Sequence, residues 1–142
     1  MRPEQEFGHK FRQHMKGSGW DVTCHEDTST YGTPDLSWGA RGINGWMELK
    51  VIPNLTDSRK PARIKLRKLQ RIFLIKRGRT GGHCSVLVWV SRTQECLLFT
   101  SEGAFRALET WTPEELYRNA DVISKGLPEP SRFLDVLTIQ GG

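Results

Sequence analysis

The segment from Cys84 to Val90 constrains the fold of this chain more than any other. It reads Cys-Ser-Val-Leu-Val-Trp-Val, so it is almost entirely apolar and carries valine at every second position from 86 to 90. Such a segment is typical of a strand that is buried on both faces of its sheet. The sequence therefore predicts a sheet that is covered by helices on two sides.

The residues before this strand predict a helix and three further strands. Pro3 suits a first helical position, and apolar residues recur at every fourth position from Phe7 to Met15, which predicts a helix over residues 3–16. Three segments with the pattern of strands follow, over residues 20–25, 33–38 and 46–51. A turn with three glycines joins the last two, so they are expected to be neighbours in the sheet.

A second helix is predicted over residues 61–77, immediately before the buried strand. Its predicted core side consists of large apolar residues, namely Leu66, Leu69, Ile72 and Phe73. Beyond the buried strand, residues 95–100 predict an antiparallel edge strand, and residues 102–120 are expected to be helical with a break before Pro113. The tail carries one apolar patch, over residues 133–139, which either forms a contact surface or folds back onto the sheet.

The order of these elements is α-β-β-β-α-β-β with a helical C-terminal extension. A helix that follows three strands and leads into a buried strand implies a mixed β-sheet flanked by helices, which is an α/β fold. The chain has 142 residues, which is enough for one domain with a core of its own. Its three cysteines are an odd number and predict no disulfide framework.

Positive charge is concentrated in one part of the chain. Residues 58–79 contain 10 Lys and Arg and no Asp or Glu, whereas the segments on either side each contain more acidic than basic residues. A solvated helix face usually mixes both signs. A purely basic band on an otherwise acidic body therefore predicts a surface that binds a polyanion.

Three polar residues are expected to meet on one face of the predicted sheet. Asp35 begins one strand, while Glu48 and Lys50 lie two residues apart on the next, so both point to the same side. Two converging carboxylates repel each other unless a cation lies between them, and hard oxygen ligands favour Mg²⁺. The alternative is an ordinary cross-strand ion pair of Lys50 with one of the carboxylates.

A zinc site is a second kind of metal site to consider. Cys24-His25 and His83-Cys84 supply the residue types that bind zinc. Adjacent residues of a strand point to opposite faces, however, and the spacing typical of zinc modules is missing. Buried free thiols are the favoured interpretation.

The sequence resembles the PD-(D/E)XK nucleases. The resemblance lies in residues 32–36, Gly-Thr-Pro-Asp-Leu, and residues 45–50, Gly-Trp-Met-Glu-Leu-Lys, and within the family it is closest to virus-type replication-repair nucleases (VRR-NUC) and Holliday-junction resolvases. It implies a restriction-endonuclease-like nuclease core over residues 1–100. Residues 101–142 would be a C-terminal helical extension, either part of the same domain or an oligomerisation element.

The resemblance also implies roles for particular residues. Asp35, Glu48 and the backbone carbonyl of Leu49 would bind Mg²⁺, for which Mn²⁺ would substitute, and Lys50 would serve the attacking water. The family often adds an acidic residue from the first helix. At about 100° per residue, Glu4 falls on the apolar side of that helix and Glu6 nearly opposite, so Glu4 is the predicted catalytic and metal-binding residue. A carboxylate that only complements the helix dipole is the alternative.

The basic band supplies the predicted DNA contacts. Gln70 occupies a place where the family tends to have a glutamine. The predicted DNA-binding residues are Arg59, Lys60, Arg63, Lys65, Arg67, Lys68, Gln70, Arg71 and Arg77. For His25, at the end of the first strand, both a phosphate contact and a surface or capping role stay open.

These features predict a Mg²⁺-dependent DNA endonuclease, structure-selective and resolvase-like, that acts in DNA repair or recombination. An exonuclease, a sequence-specific endonuclease or a non-cleaving DNA-binding subunit are the alternatives. The expected partners are branched DNA and, in a homodimer, a second copy of the chain. No association with a membrane is expected. No apolar run is long enough to span a bilayer and the N-terminus lacks a secretory signal, so a cytoplasmic location is expected, in a host cell if the chain is viral.

Overall fold

The computed structural model describes residues 2–26, 31–56 and 59–139. Its helices are α1 (Pro3–Lys16), α2 (Lys68–Arg79), α3 (Glu102–Ala107), α4 (Pro113–Asn119) and α5 (Pro130–Ile139). Its strands are β1 (Asp21–Cys24), β2 (Leu36–Ala40), β3 (Ile43–Ile52), β4 (His83–Val90), β5 (Glu95–Phe99) and β6 (Val122–Lys125). No helix among the described residues is long and apolar enough to cross a membrane.

The strands form one mixed sheet, as the sequence predicts, with six strands where five were expected. They lie side by side in chain order, and only the pair β3–β4 is parallel. Parallel neighbours need a crossover connection, which the segment from residue 53 to 82 supplies with α2. The long parallel pairing runs from Gly45 beside His83 to Ile52 beside Val90, so β3 and β4 form the centre of the sheet.

Each face of the sheet packs against its own hydrophobic core. On one face, Phe7 and Phe11 of α1 and Phe133 of α5 cover Met47 and Leu87. On the other face, residues of α2, α3, α4 and the segment before α2 cover the opposite side of β3 to β5. The strand β4 contributes buried side chains to both cores, so the prediction of a strand buried on two faces is confirmed.

The predicted second helix begins later than expected. It starts at Lys68 rather than residue 61, because residues 61–67 form neither helix nor strand, and Arg63 among them has a positive φ of 57°. In this segment buried and exposed side chains alternate, with Ile64 and Leu66 buried, and the N–H of Ala62 donates to the carbonyl of Trp111 over 3.0 Å. This period-2 burial competes with the helical pattern and prevails because Ile64 and Leu66 both reach the core.

The predicted core side of α2 was also wrong. The helix buries Gln70, Leu74 and Ile75, whereas Leu69 and Ile72 remain 48% and 40% exposed. The prediction counted Leu66 as a helical residue, although it lies before the helix. The apolar side deduced from Leu66 therefore differs from the side of α2 that packs against the core. The outward side of α2 therefore carries apolar residues.

The C-terminal region contains a strand that the sequence did not predict. The four residues of β6 pair with β5, so the sheet edge lies at β6 and not at β5 as expected. Asp121 anchors this strand, since its Oδ2 accepts hydrogen bonds from N and Oγ1 of Thr100 at 2.8 and 2.9 Å. A strand of four residues between a helix and a turn is too short to show a period.

The apolar patch over residues 133–139 folds back onto the sheet. Phe133, Leu134 and Leu137 are 1%, 4% and 2% exposed, and Phe133 packs edge-on against Phe11 with ring centroids 6.0 Å apart. Of the two alternatives for this patch, its own sheet is therefore the surface that it contacts.

Candidate active site

A tight hairpin sets the register that brings Asp35 next to Glu48. Only Arg41 and Gly42 connect β2 to β3, and both have positive φ, 51° and 78°, as a two-residue hairpin turn requires. The last paired residues at the far end of this hairpin are Leu36 and Met47. In an antiparallel pair the next residues along are Asp35 and Glu48, so the two carboxyl groups lie opposite each other.

Hydrogen bonds connect Asp35 to Glu48 and to Leu49, the next residue of β3. The N–H of Asp35 donates to Oε1 of Glu48 over 3.0 Å. In return, Oδ2 of Asp35 accepts the N–H of Leu49 over 3.0 Å. Each carboxylate is therefore held by the backbone of the other strand, which fixes both side chains where β2 stops and β3 continues.

Lys50 lies on the same side of β3 as Glu48. Its Nζ is 3.6 Å from Oε2 of Glu48, and its side chain is 21% exposed. Glu48 itself is only 2% exposed, so solvent reaches this side of β3 at Lys50 but hardly at Glu48. The side of β3 that carries Trp46, Glu48 and Lys50 faces α2, which covers Glu48 and leaves Lys50 at the rim.

Gln70 is the residue of α2 that covers Glu48. Its Nε2 donates a short hydrogen bond of 2.5 Å to Oε2 of Glu48, while its Oε1 accepts the N–H of Arg67 at the start of the helix. Gln70 is 4% exposed. The structure thus places this residue, predicted as a DNA contact, against the carboxylate.

The surroundings of Glu48 favour its neutral form. Burial, reinforced by the nearby negative charge of Asp35, raises the pKa of Glu48 to about 8 from its ordinary value of 4.5, against the opposing effect of Lys50. A buried carboxyl group beside a second carboxylate is stabilised in its charged form when a cation binds between them. The site therefore has the electrostatic character of a place that binds a cation.

The carboxylate of Glu4 lies along the same edge of β3. Its Oε2 accepts the N–H of Val51 over 3.2 Å, one strand repeat beyond the N–H of Leu49 that Asp35 accepts. Glu6 is exposed. Since β2 pairs with β3 only as far as Met47, this edge is open beyond it, and acidic side chains from β2 and α1 bind the N–H groups there.

The donor groups at this edge suit a hard divalent cation. In a strand, the N–H and C=O of one residue point to the same edge, so the carbonyl of Leu49 lies on the side of Asp35. Two carboxylates and a carbonyl are the oxygen ligands that Mg²⁺ binds. Within the described part of the chain no three His, Cys, Asp or Glu side chains already form a cluster, and Glu4 is held at Val51.

The predicted DNA-binding cations lie partly at the approach to α2, up to its first residue, and partly further along the helix. Six are exposed in the segment that leads into α2, namely Arg59, Lys60, Arg63, Lys65, Arg67 and Lys68. Arg71 is half-buried in the helix. Arg77 lies over two aromatic rings, with Cζ 5.5 Å from the centroid of Trp46 and 5.0 Å from that of Phe73. This cation–π contact holds the guanidinium near the site.

Sequence reasoning missed the aromatic residues on this side of the sheet. Trp46 contacts Phe73 edge-on at 5.2 Å and stacks with His25 at 5.7 Å. His25 lies at the end of β1, with Nε2 3.0 Å from Oγ of Ser37, and its N–H donates to the carbonyl of Asp35. The sequence did contain a signal for them. Trp46 lies two residues before Glu48 and therefore points to the same side of β3.

A cavity of about 200 Å³ adjoins the site on the side of α1. Asp35 and Leu49 form part of its wall, together with residues of α1 and the end of β1. Glu48 and Lys50, which point to the other side of β3, are not among its lining residues. The cavity thus reaches the acidic edge of β3 from the side of α1.

Comparison with known proteins supports the fold. No protein-family model matches the sequence, and no curated protein matches it. The structure is similar to Hjc, a Holliday junction resolvase of the hyperthermophilic archaeon Archaeoglobus fulgidus, with a TM-score of 0.60 and 12% identity over 92% of this chain and 98% of that chain. At this identity the likeness concerns the fold. It confirms the predicted restriction-endonuclease-like α/β fold, a mixed sheet flanked by helices.

Proposed function

We propose that this chain is a metal-dependent endonuclease that hydrolyses phosphodiester bonds of DNA, with Asp35, Glu48 and Lys50 at its active site. The observation that carries the proposal is the pair of hydrogen bonds that join Asp35 to Glu48 and to Leu49, with Nζ of Lys50 3.6 Å from the buried carboxylate of Glu48. An ordinary cross-strand ion pair would leave a lysine between two solvated acids. Here one acid is buried beside the other, an arrangement that costs free energy unless a cation binds.

The residues would divide the work according to their positions. Asp35, Glu48 and the carbonyl of Leu49 would hold Mg²⁺ or Mn²⁺, with Glu4 as a further acidic group at the same edge. The bound ion would lower the pKa of water and stabilise negative charge on the phosphate. Lys50, at the rim, would orient the attacking water and stabilise the charge that develops on phosphorus oxygens. The P–O3′ bond breaks, which leaves a 5′-phosphate and a 3′-hydroxyl.

We infer that the substrate is branched DNA. One structural neighbour is a Holliday junction resolvase, and the exposed cations before α2 would bind phosphates without reading bases. With one small domain and no separate reading domain among its described residues, the chain is suited to recognise backbone shape. Such an activity would belong to DNA repair or recombination, in the cytoplasm.

A homodimer would supply the two equivalent sites that a symmetric junction requires. The patch over residues 133–139 is covered by the chain's own sheet, so the contact must lie elsewhere. Leu69 and Ile72 on the outward side of α2 are the exposed apolar pair closest to the basic segment. A twofold contact there would place both basic segments on one continuous surface.

The test is a set of labelled substrates of equal length: linear duplex, splayed arms, flap and four-way junction. Each is incubated with Mg²⁺, Mn²⁺ or EDTA, and products are sized on denaturing gels. We expect internal cuts, strongest on the junction and absent in EDTA. Products that shorten from the ends would indicate an exonuclease, and binding without cleavage in either metal would indicate a non-cleaving subunit.

The oligomer is tested separately by light scattering with Leu69→Gln/Ile72→Gln. Ile123→Gln on β6 is the matched control, because Ile123 is also exposed, at 42%. We expect the double variant alone to become a monomer. A wild-type monomer at micromolar concentration would remove the dimer from the proposal and leave the nuclease.

A further inference from the structure

Helix α1 approaches the active-site edge of β3 unusually closely. A Cβ atom on Gly8 would lie 3.2 Å from Cδ1 of Leu49 and 3.7 Å from Sγ of Cys24. The glycine therefore lets the helix backbone pack against the residue whose N–H Asp35 accepts. Side chains that flank Gly8 on α1 overhang the site as a result.

The cavity of about 200 Å³ lies beneath these side chains. Gln5, His9 and Arg12 line it from α1, at the spacing of four and three residues that places side chains on one side of a helix. His25 lines it from the end of β1, and Asp35 and Leu49 form its floor. The cavity thus shares two residues with the candidate metal site.

Arg12 places a positive charge at this cavity. Carboxylates of Glu4, Glu26 and Asp35 line the same space, yet within the described residues Arg12 makes no ion pair or hydrogen bond. The charge of Arg12 is felt inside the cavity, at the thiol of Cys24. Burial raises the pKa of this thiol, and the positive charge of Arg12 opposes the rise. A guanidinium held beside acids but unpaired with them is available for an anionic ligand.

The cation lies on the other side of the sheet from the basic band. The band consists of α2 and the segment before it, which cover the face that carries Glu48, whereas Arg12 is on α1, which covers the opposite face. A DNA strand crossing the open edge of β3 would be contacted from both sides. The two contacts would then involve different phosphates of the same strand.

We propose that Arg12, with Gln5 and His9, forms a subsite for a single backbone phosphate next to the scissile one. The inference rests on the proposed function, since it takes the edge at Asp35 as the place of cleavage. A cavity of this volume has room for a phosphate group and excludes a base pair. Its wall offers a guanidinium, an amide and an imidazole as donors, beside the carboxylates of Glu4, Glu26 and Asp35. The subsite would fix how far the strand slides along the edge, and so which bond is cut.

The experiment measures binding, in the Lys50→Ala background and without metal, so that no cleavage occurs. A four-way junction carries one uncharged methylphosphonate at each phosphate in turn, over five positions on either side of the branch point in one strand. We expect one position at which loss of charge weakens binding roughly tenfold, the scale of one charge-assisted hydrogen bond. In Arg12→Gln, affinity for unmodified DNA should be lower by a similar factor, and the same methylphosphonate should have no further effect.

Lys10→Gln is the matched control. It removes the same charge from the same helix, but Lys10 is about 200° around the helix from Arg12 and does not line the cavity. Both residues are exposed, so equal melting temperatures are expected for the two variants. The Lys10 variant should keep the full methylphosphonate effect.

A methylphosphonate profile of Arg12→Gln that matches that of Lys10→Gln at every position would overturn the subsite. The proposed function is judged by a different result, the cleavage of junctions by the unaltered chain. Cleavage with an unchanged profile would refute the subsite alone. An altered profile without any cleavage would refute the nuclease while leaving a phosphate site on α1.

Discussion

The N–H of Asp35 donates to Oε1 of Glu48 over 3.0 Å, and both residues stand at the point where β2 ends beside a continuing β3. The bond fixes Glu48 in a buried position, where the charges of Asp35 and Lys50 act on it. Burial and repulsion from Asp35 then keep a proton on Glu48 at pH values where a solvated carboxyl would have lost it. This relationship has consequences for stability as well as for cleavage.

The first prediction concerns the stability of the metal-free protein. The pKa of Glu48 is about 8 in the folded chain and 4.5 ordinarily, so between these values the folded state binds more protons than the unfolded state. Stability from this group is therefore full below pH 4.5 and is lost as pH rises toward 8. The loss amounts to a few kcal/mol at most, at about 1.4 kcal/mol for each tenfold change in proton affinity.

Thermal unfolding in EDTA from pH 4.5 to 8.5 measures this effect. We expect the melting temperature of the unaltered chain to fall across the range and that of Glu48→Gln to fall much less. Added Mg²⁺ should raise the melting temperature of the unaltered chain more at pH 8 than at pH 5. Parallel curves for the two proteins in EDTA would show that Glu48 does not titrate in this range.

The second prediction separates Glu4 from Glu6. Glu4 contacts the open edge of β3 through Val51, whereas Glu6 is exposed two residues further along α1. Glu4→Gln should lower cleavage about 10–100-fold, the usual effect of losing a group that supports a metal site. Glu6→Gln removes the same charge from the same helical turn and should cut normally. Equal losses in both would indicate a helix-dipole effect and not a contact with the site.

Much of this site could be predicted from sequence because strands alternate. Glu48 and Lys50 lie two residues apart in one strand, so they point to the same side of it however the strand pairs with its neighbour. The short glycine turn limits the possible registers of the hairpin, and so the positions of Asp35 relative to them. The burial of Glu48 could not be predicted in the same way. It depends on where α2 begins. Residues 61–67 are not helical, but their apolar residues also fit a helical pattern, so the start of α2 at Lys68 could not be located from the sequence.

The fold shows the same division between local and long-range information. The buried strand β4 carries its signal in its own residues, and so its position was predictable. The four-residue strand β6 exists because β5 offers it a partner and Asp121 bonds to Thr100, a contact across 21 positions of sequence. Likewise, Arg12 and Asp35 meet at one cavity only because Gly8 lets α1 pack tightly.

The third prediction concerns Gln70. Gln70→Ala removes the donor to Glu48 and the acceptor for the N–H of Arg67, both in a buried place. The free energy of unfolding should fall by about 1–3 kcal/mol, the cost of leaving buried polar groups without partners. Urea unfolding measures it, with the exposed Gln13→Ala on α1 as the control. An unfolding free energy as high as that of the control would mean that the Gln70 hydrogen bonds contribute nothing to stability.

The fourth prediction concerns the basic segment. Lys65 and Lys68 are exposed on either side of the start of α2, and replacing both by Gln should weaken binding to every DNA. The slope of log affinity against log salt should become shallower by about 0.9 for each phosphate that the variant no longer neutralises. Lys10→Gln/Lys16→Gln removes two exposed cations from α1 and should leave the slope unchanged. An unchanged slope in the first pair would place the DNA surface elsewhere.

Cleavage of supercoiled plasmid is the most direct measurement of whether Asp35, Glu48 and Lys50 form a metal-dependent nuclease site. The unaltered chain should nick or linearise the plasmid in Mg²⁺ and not in EDTA. Asp35→Asn, Glu48→Gln and Lys50→Ala should each abolish cutting while circular dichroism shows a folded protein and the Lys50 variant still binds DNA. Undiminished cleavage by any of the three folded variants, or equal cleavage in EDTA, would contradict the proposed site.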